Sequence, residues 1–305
     1  MTKQTKTNTY DHDKFAVFIL SHGRADNVVT LASLLRAGYT GRYYIVIDNE
    51  DDMAPAYYEK YGDATQDPNG HVVMFDKPDI AKRFDTMHNF GKRNTIVYAR
   101  NACFEIAASL GIEQFLQLDD DYVNFLYRYP GGPYYSSKLM ASAVTDFDRV
   151  CGSMLRFLDT SGALTVCFAQ GGDFIGGLNG MYLQKIKRKG MNAFFCNTNR
   201  PMNFIGHINE DVNTYVTRSN RGDLIMTVTD IMLNQVGTQV GKGGMTAAYL
   251  DSGTYYKSIY TPVALPSAAH VAMLNSAHPR IHHKINWNNC APKILNERYK
   301  KPTEG

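Results

Sequence analysis

No apolar run in this chain approaches the roughly 18 residues that a membrane-crossing helix needs, so no spanning helix is expected and no membrane partner. Residues Met1 to Tyr10 are polar and lack the apolar core of a secretion signal, which points to a cytoplasmic protein. Cysteine is sparse. Cys103, Cys151, Cys167, Cys196 and Cys290 are odd in number, scattered and without a Cys-x-x-Cys pair, which argues against a disulfide framework or a structural zinc site. No Gly-x-Gly-x-x-Gly follows the first apolar run, so a dinucleotide site is disfavoured. No Gly-x-x-x-x-Gly-Lys-Ser/Thr occurs, so a P-loop is too. An excess of one charge is also missing: 32 Lys and Arg against 29 Asp and Glu leave +3, and the total names no partner. Internal repeats and low-complexity segments are absent.

What remains is a chain of 305 residues, 44% hydrophobic, long enough for one large packed domain. Phe15 to Leu20 is continuously apolar, as in a parallel strand buried on both faces. Asp26 suits the N-cap of a following helix that carries Val28, Leu31, Leu34 and Leu35 and closes at Gly38. Tyr43 to Ile47 and His71 to Phe75 read as the next strands, with a helix from Pro55 to Tyr61 between them. Residues 76–91 read as a loop, and a helix over about 94–110 leads to a strand ending in Asp119-Asp120-Asp121. This βαβαβαβ order through residue 125 is a Rossmann-like, nucleotide-binding half. Beyond Tyr122 the pattern predicts a Pro/Gly/Tyr loop at 127–135, a helix over 136–158 and a strand at 164–168. A short helix over 211–217, a strand at 224–229 and a Gly-rich loop at 237–244 follow. The expected organisation is a flexible leader over 1–14, a nucleotide-binding half over 15–125 and a second half over 126–305 with a basic tail, within a single compact domain.

The chemistry concentrates in a few clusters. Asp119, Asp120 and Asp121 are three adjacent anions at a strand's C-terminal end, where α/β sheets bind ligands. A cation screening them makes a divalent-metal site; water screening them makes a solvated acidic turn or a helix cap. Asp48 ends the second strand, where a carboxylate can accept hydrogen bonds from a nucleotide; Glu50 to Asp52 read as a solvated loop. Arg93-Asn94 and Arg100-Asn101 recur at a spacing of seven, nearly on one helix face. Their cations either face a donor phosphate or neutralise the aspartates. Glu210 and Asp211 supply either a general base or the first-turn acids of a helix. Lys185, Lys187, Arg188 and Lys189, near Tyr182, Phe194 and Phe195, are a nucleic-acid footprint or a solvated basic loop. The tail over 275–301 is basic, with Lys284 near a phosphate site in one reading and His283 completing a metal sphere in another; clustered histidines are equally surface residues.

Four of these elements occur in a specific order: Ser21-His22-Gly23-Arg24, Val46-Ile47-Asp48-Asn49-Glu50, Leu118 to Tyr122, and His207 to Asp211. These four together resemble the TET-associated glycosyltransferases of bacteriophages; the wider order of a strand from Phe15, an acid at Asp48, Ala99 to Asn101 and Leu118 to Asp121 resembles the GT-A glycosyltransferases. The resemblance implies an α/β, GT-A-like fold: a mainly parallel sheet flanked by helices, with a C-terminal acceptor-side half. It implies transfer from a nucleotide-sugar, UDP by default, onto 5-hydroxymethylated pyrimidines in phage DNA, in the host cytoplasm. Asp119 and Asp121 would hold Mn2+ or Mg2+, with Ser21, Arg24, Asp48, Arg93, Arg100, Asp120 and Lys284 around the donor. Asp211 or Glu210 would be the base if the sugar inverts. Lys185 to Lys189 and the tail would grip DNA phosphates. A polysaccharide, lipid-linked glycan or protein acceptor is the alternative within the class. A metal-dependent nuclease or phosphohydrolase, or a DNA-binding protein without catalysis, are the alternatives outside it.

Overall fold

The computed structural model describes residues 10–88, 91, 93–131, 138–179, 182, 186–235, 246–274, 279–290 and 296–300, the side chains of 246–254 excepted. β1 (Phe15–Leu20) is buried along its whole length, as its unbroken apolar run requires. It is followed by α1 (Val29–Arg36), β2 (Arg42–Asp48), α2 (Ala54–Tyr61), β3 (Val72–Phe75), α3 (Lys77–Ala81), α4 (Val97–Ser109) and β4 (Gln114–Asp119). These strands lie in the order β3-β2-β1-β4, every neighbour parallel. Leu20 stands beside both Val46 and Asp119 in the register, so the C-terminal ends of β1, β2 and β4 open on one edge. That edge carries the loops that follow β1, β2 and β4.

The second half adds β5 (Tyr122–Pro130), β6 (Leu139–Ala143), α5 (Phe147–Ser161), β7 (Thr165–Ala169), β8 (Ile186–Lys187), β9 (Phe194–Asn197), α6 (Glu210–Asn220) and β10 (Ile225–Gln235). The same sheet continues as β4-β9-β7-β10-β5-β6, with β8 on β10, and becomes mixed: β9 is antiparallel to both its neighbours. Beyond it come α7 (Thr246–Ala264), the hairpin β11 (Ala269–Leu274) and β12 (Arg280–Ile285), and α8 (Trp287–Cys290). This is the expected α/β architecture, a sheet flanked by helices and parallel through its first half.

Alternation along the strands feeds two apolar layers. Phe15, Val17 and Ile19 enter one, with Phe147, Phe168 and Phe195; Ala16, Phe18 and Leu20 enter the other, with Phe104, Phe115, Phe194 and Phe204. β9 is four residues long, yet Phe194 and Phe195 fill opposite layers, so it locks the two halves of the sheet together.

Several expected elements differ. Val28, not Asp26, precedes α1, and no side chain caps it. The reason is tertiary: Thr30 donates its backbone N–H to the Asp120 carbonyl at 3.1 Å, so the sheet edge itself supplies an acceptor at this helix start. The 76–91 stretch contains α3, capped by the Asp76 side chain on Asp79. β5 runs through the expected 127–135 loop as far as Pro130. Leu139 and Ala143 belong to β6 and not to a helix, because an edge strand pairing with β5 satisfies their backbone. The Gly-rich loop at 237–244 and the leader through residue 9 lie outside the described residues.

Phe195→Ala is expected to cost about 3–5 kcal/mol in urea unfolding, as for other large buried aromatics. Tyr129→Ala, at an exposed site on β5, should change stability far less.

Candidate active site

The acidic turn is short. β4 ends at Asp119 and β5 begins at Tyr122, so two residues connect antiparallel-running chain segments. Thr30 fixes the turn from α1: its hydroxyl donates to the Asp119 carbonyl at 2.6 Å and accepts the Tyr122 N–H at 2.8 Å. The three carboxylates then part company. Asp120 points inward, 5% exposed, and accepts from Ser21 Oγ and Arg24 Nη1, both at 2.6 Å. Ser21 Oγ also shares a hydrogen with the Tyr57 hydroxyl at 2.6 Å, and that hydroxyl accepts the Arg24 N–H at 2.9 Å. Burial still pushes the Asp120 carboxyl above its usual range, against the pull of Ser21 and Arg24. Asp120 therefore organises the loop after β1.

Asp119 accepts from Arg100 Nη2 at 3.0 Å. Asp121 has no ion-pair partner among the described residues. Its carboxyl is pushed up to about 7, by burial first and then by the negative charges of Asp119 and Asp120.

Arg100 comes from α4 and is buried. Its Nε donates to Glu210 Oε1 at 2.9 Å, and its guanidinium lies over the rings of Phe194 and Phe204 at 5.1 and 5.8 Å. It thus joins the Asp119 turn to the start of α6, and its charge is preserved by Asp119 and Glu210 although burial opposes it. Arg100 is a strut between carboxylates, the neutralising role of the two that the sequence allowed. Glu210 is 8% exposed and taken up by Arg100. Asp211 is half-buried and bonds the Val212 N–H at 2.7 Å, within its own helix. Its carboxyl is pushed up to about 7 by burial and then by Glu210. Of the pair, Asp211 is the acid poised to exchange a proton near neutrality.

At the end of β2, Asp48 accepts from Lys77 Nζ at 3.1 Å and bonds His22 Nδ1 at 2.8 Å. Burial alone would raise its carboxyl; His22 and Lys77 more than offset this and hold it below the usual range. Asp51, buried nearby, accepts the Gly23 and Met53 N–H groups at 2.8 and 2.9 Å. The loops after β1 and β2 are therefore tied together at the sheet edge. Arg93 pairs with Glu50 at the surface rather than standing free for a phosphate.

Other candidates lie elsewhere. His283 on β12 sits with Nδ1 3.4 Å from Asn209 Nδ2, and burial, His282 and Lys257 lower it to about 4. No contact joins it to Asp119 or Asp121 among the described residues. Lys284 is exposed on the hairpin. Lys187 is buried, Lys189 pairs with the buried Asp173 at 2.5 Å, and half-buried Arg188 reaches the Asp223 carbonyl at 3.4 Å. The basic run thus turns inward. Lys185 lies outside the described residues. Thr30, Tyr57, Lys77 and Asn209 were not visible as site residues in the sequence. Lys77 alone gave a cue, following the third strand ahead of a proline.

Among the described residues no group of three or more His, Cys, Asp or Glu side chains is set to hold a metal. A hard divalent cation needs no such cage: one or two carboxylates plus substrate phosphate and water oxygens suffice. Asp119 and Asp121 supply oxygen donors, and Asp121 has no ion-pair partner among the described residues, so the two fit that arrangement.

Arg100→Lys is expected to destabilise the protein in urea and to broaden the coupling of the two acid sites, because an ammonium cannot fork to Asp119 and Glu210 together. Arg100→Met, leaving buried Glu210 and half-buried Asp119 uncompensated, should cost about 3–5 kcal/mol. For Asp121 the sign is fixed by its raised carboxyl: without metal, stability attributable to it is full below about pH 4 and lost as pH rises through about 7. Asp121→Asn should therefore raise the metal-free melting temperature at pH 8 and abolish any further rise on adding Mn2+.

A family model described as TET-Associated Glycosyltransferase matches residues 15–244. No protein of curated function matches the chain by sequence. Among solved structures, the chain is similar to the mannosyltransferase PcManGT from Pyrobaculum calidifontis in complex with GDP-Man and Mn2+. Identity is 14%, over 83% of this chain and 72% of that one, with a TM-score of 0.45. It is also similar to S. aureus TarS 1–349 in complex with UDP-GlcNAc, at 13% identity, 83% and 67% coverage and a TM-score of 0.45.

Proposed function

The chain belongs to the TET-associated glycosyltransferase family and is a glycosyltransferase; from that premise we propose that it moves a sugar from a nucleotide-sugar onto 5-hydroxymethylated pyrimidines in DNA. The observation that carries the reading is the pairing of two carboxylate sites across Arg100, inside the segment that the family model matches. One site suits a departing diphosphate and the other suits an acceptor hydroxyl.

Asp119 and Asp121 would hold a divalent cation, Mn2+ or Mg2+, and when bound it supplies Lewis-acid stabilisation of the charge that develops on the leaving diphosphate. The chain's own residues do the rest. Ser21 and Arg24 clamp Asp120, and Tyr57 bonds both of them, which shapes the loop facing the donor. Asp48, held ionised by His22 and Lys77, offers that edge a fixed negative charge toward the nucleoside. Asp211 accepts the proton of the acceptor hydroxyl as it attacks, if the sugar inverts; Glu210, bound to Arg100, keeps the start of α6 in place. In a retaining reaction the pair would stabilise positive charge on the sugar instead. UDP is the proposed nucleotide. A base stacked in a duplex cannot enter such a site, so the acceptor would be flipped out or taken from a distorted site. Family membership sets aside the nuclease and non-catalytic readings. A glycan, lipid-linked or protein acceptor stays as the other outcome of the same test.

That test incubates the protein with hydroxymethylated or unmodified DNA, a panel of nucleotide-sugars and Mn2+ or Mg2+, followed by mass spectrometry of the nucleosides. A sugar's mass should appear only on the hydroxymethylated base, and Asp119→Ala should remove it. Sugar transfer to a glycan or protein with none to DNA would replace the proposed acceptor. With Asp211 as base, kcat/KM should climb about tenfold per pH unit below about 7 and level off above it. Asp211→Asn should leave a slow, pH-independent rate.

A further inference from the structure

We propose that the β11–β12 hairpin is the element that docks the DNA backbone; this rests on the proposed DNA acceptor. Residues 252–296 contain no Asp or Glu, while Lys257, Arg280, Lys284 and Lys293 all fall within them. A stretch of 45 residues free of carboxylates imposes no local repulsion on a polyanion.

The register decides which side chains share a face. His270 stands opposite Lys284, Ala272 opposite His282, and Leu274 opposite Arg280. In an antiparallel pair, opposite residues point the same way and alternate residues follow them. One face therefore carries His270, His282, Arg280 and Lys284. Arg280, Lys284 and His270 are exposed, and neither cation has an ion-pair partner among the described residues. Four residues of strand separate Arg280 from Lys284 by about 13 Å, a span over which a ribbon can meet successive phosphates of one strand. A two-stranded ribbon is also a shape that the major groove admits.

The other face ties the ribbon to the site. His283 lies against Asn209, whose amide donates to the Lys257 carbonyl at 2.7 Å, and Asn209 immediately precedes Glu210 and Asp211. The Ser258 hydroxyl holds the Ile281 carbonyl at 2.9 Å. The hairpin that would grip a duplex is thus anchored beside the start of α6. The run over 187–189, the rival basic feature, is spent on Asp173 and on burial. Trp287, the chain's one tryptophan, follows β12 directly. It is 44% exposed and stacked on Tyr215 at 5.8 Å, which makes it a local reporter.

The experiment titrates the full chain with an unmodified duplex, following labelled-DNA anisotropy and Trp287 emission from 50 to 200 mM salt. Arg280→Gln with Lys284→Gln should weaken binding on the order of tenfold at low salt and reduce the log–log salt slope by about 1.8, two phosphate contacts' worth. The change in Trp287 emission should shrink with it. Melting temperature should hold, since both side chains are exposed, and Arg149→Gln on α5 should leave affinity and slope as they are. If the wild type glycosylates DNA but the double variant keeps its affinity and slope, the hairpin assignment is overturned and the acceptor reading stands. If the wild type binds no duplex and glycosylates another acceptor, both fall together.

Discussion

One buried guanidinium sets the terms for the rest of the site. Arg100 is enclosed by Phe194 and Phe204 and touches Asp119 on one side and Glu210 on the other. A lone charge in such a place is strongly disfavoured; with two carboxylates it becomes tolerable, and each carboxylate in turn depends on it. Its Nη1 finds no hydrogen-bond partner among the described residues, so the geometry is not optimal for stability alone. What the arrangement secures is position. The end of β4 and the start of α6 are 91 residues apart in sequence, and Arg100 holds them in one piece.

The same reasoning explains why three adjacent aspartates are not equivalent. Placing three anions at the end of a strand and on the two-residue turn after it is unfavourable unless each finds relief. Asp120 finds it inward, on Ser21 and Arg24, and in doing so fixes the loop after β1. Asp119 finds it on Arg100. Asp121 finds none, and the repulsion accumulates on it as a raised carboxyl. The turn is thus two structural acids presenting a third, with Asp119 shared between the two tasks. Thr30 makes the presentation rigid by bonding the turn's backbone at both ends.

Much of this was legible in the residues, and the limits follow from distance in sequence. β1 and β4 announced themselves as unbroken apolar runs, and the acids at their ends followed. The pairing of Arg100 with Glu210 spans 110 residues, beyond any local signal. β9 hid because four residues that fill two layers alternately, Phe-Phe-Cys-Asn, resemble aromatics around a basic loop. The direction of Lys187 and Lys189 depended on Asp173, which a count of charges does not connect to them. Leu139 and Ala143 fell at helical spacing, but pairing with β5 decided their conformation. In the tail, the absence of acids was visible, whereas the hairpin that orders its cations was not, since its strands alternate too weakly to stand out.

Asp121 and Asp211 both sit near 7, yet for different reasons, and the difference assigns their work. Burial leads in each case, but Asp121 owes its remaining shift to two neighbouring anions, a cause that an arriving cation cancels. Ligand binding on the donor side would return it to an ordinary carboxylate and release a proton. Asp211 owes its shift to burial and to Glu210, whose charge is already committed to Arg100. A cation at the turn does not remove either cause. In the proposed roles, the acid at the turn answers to a ligand and the acid on α6 to a proton.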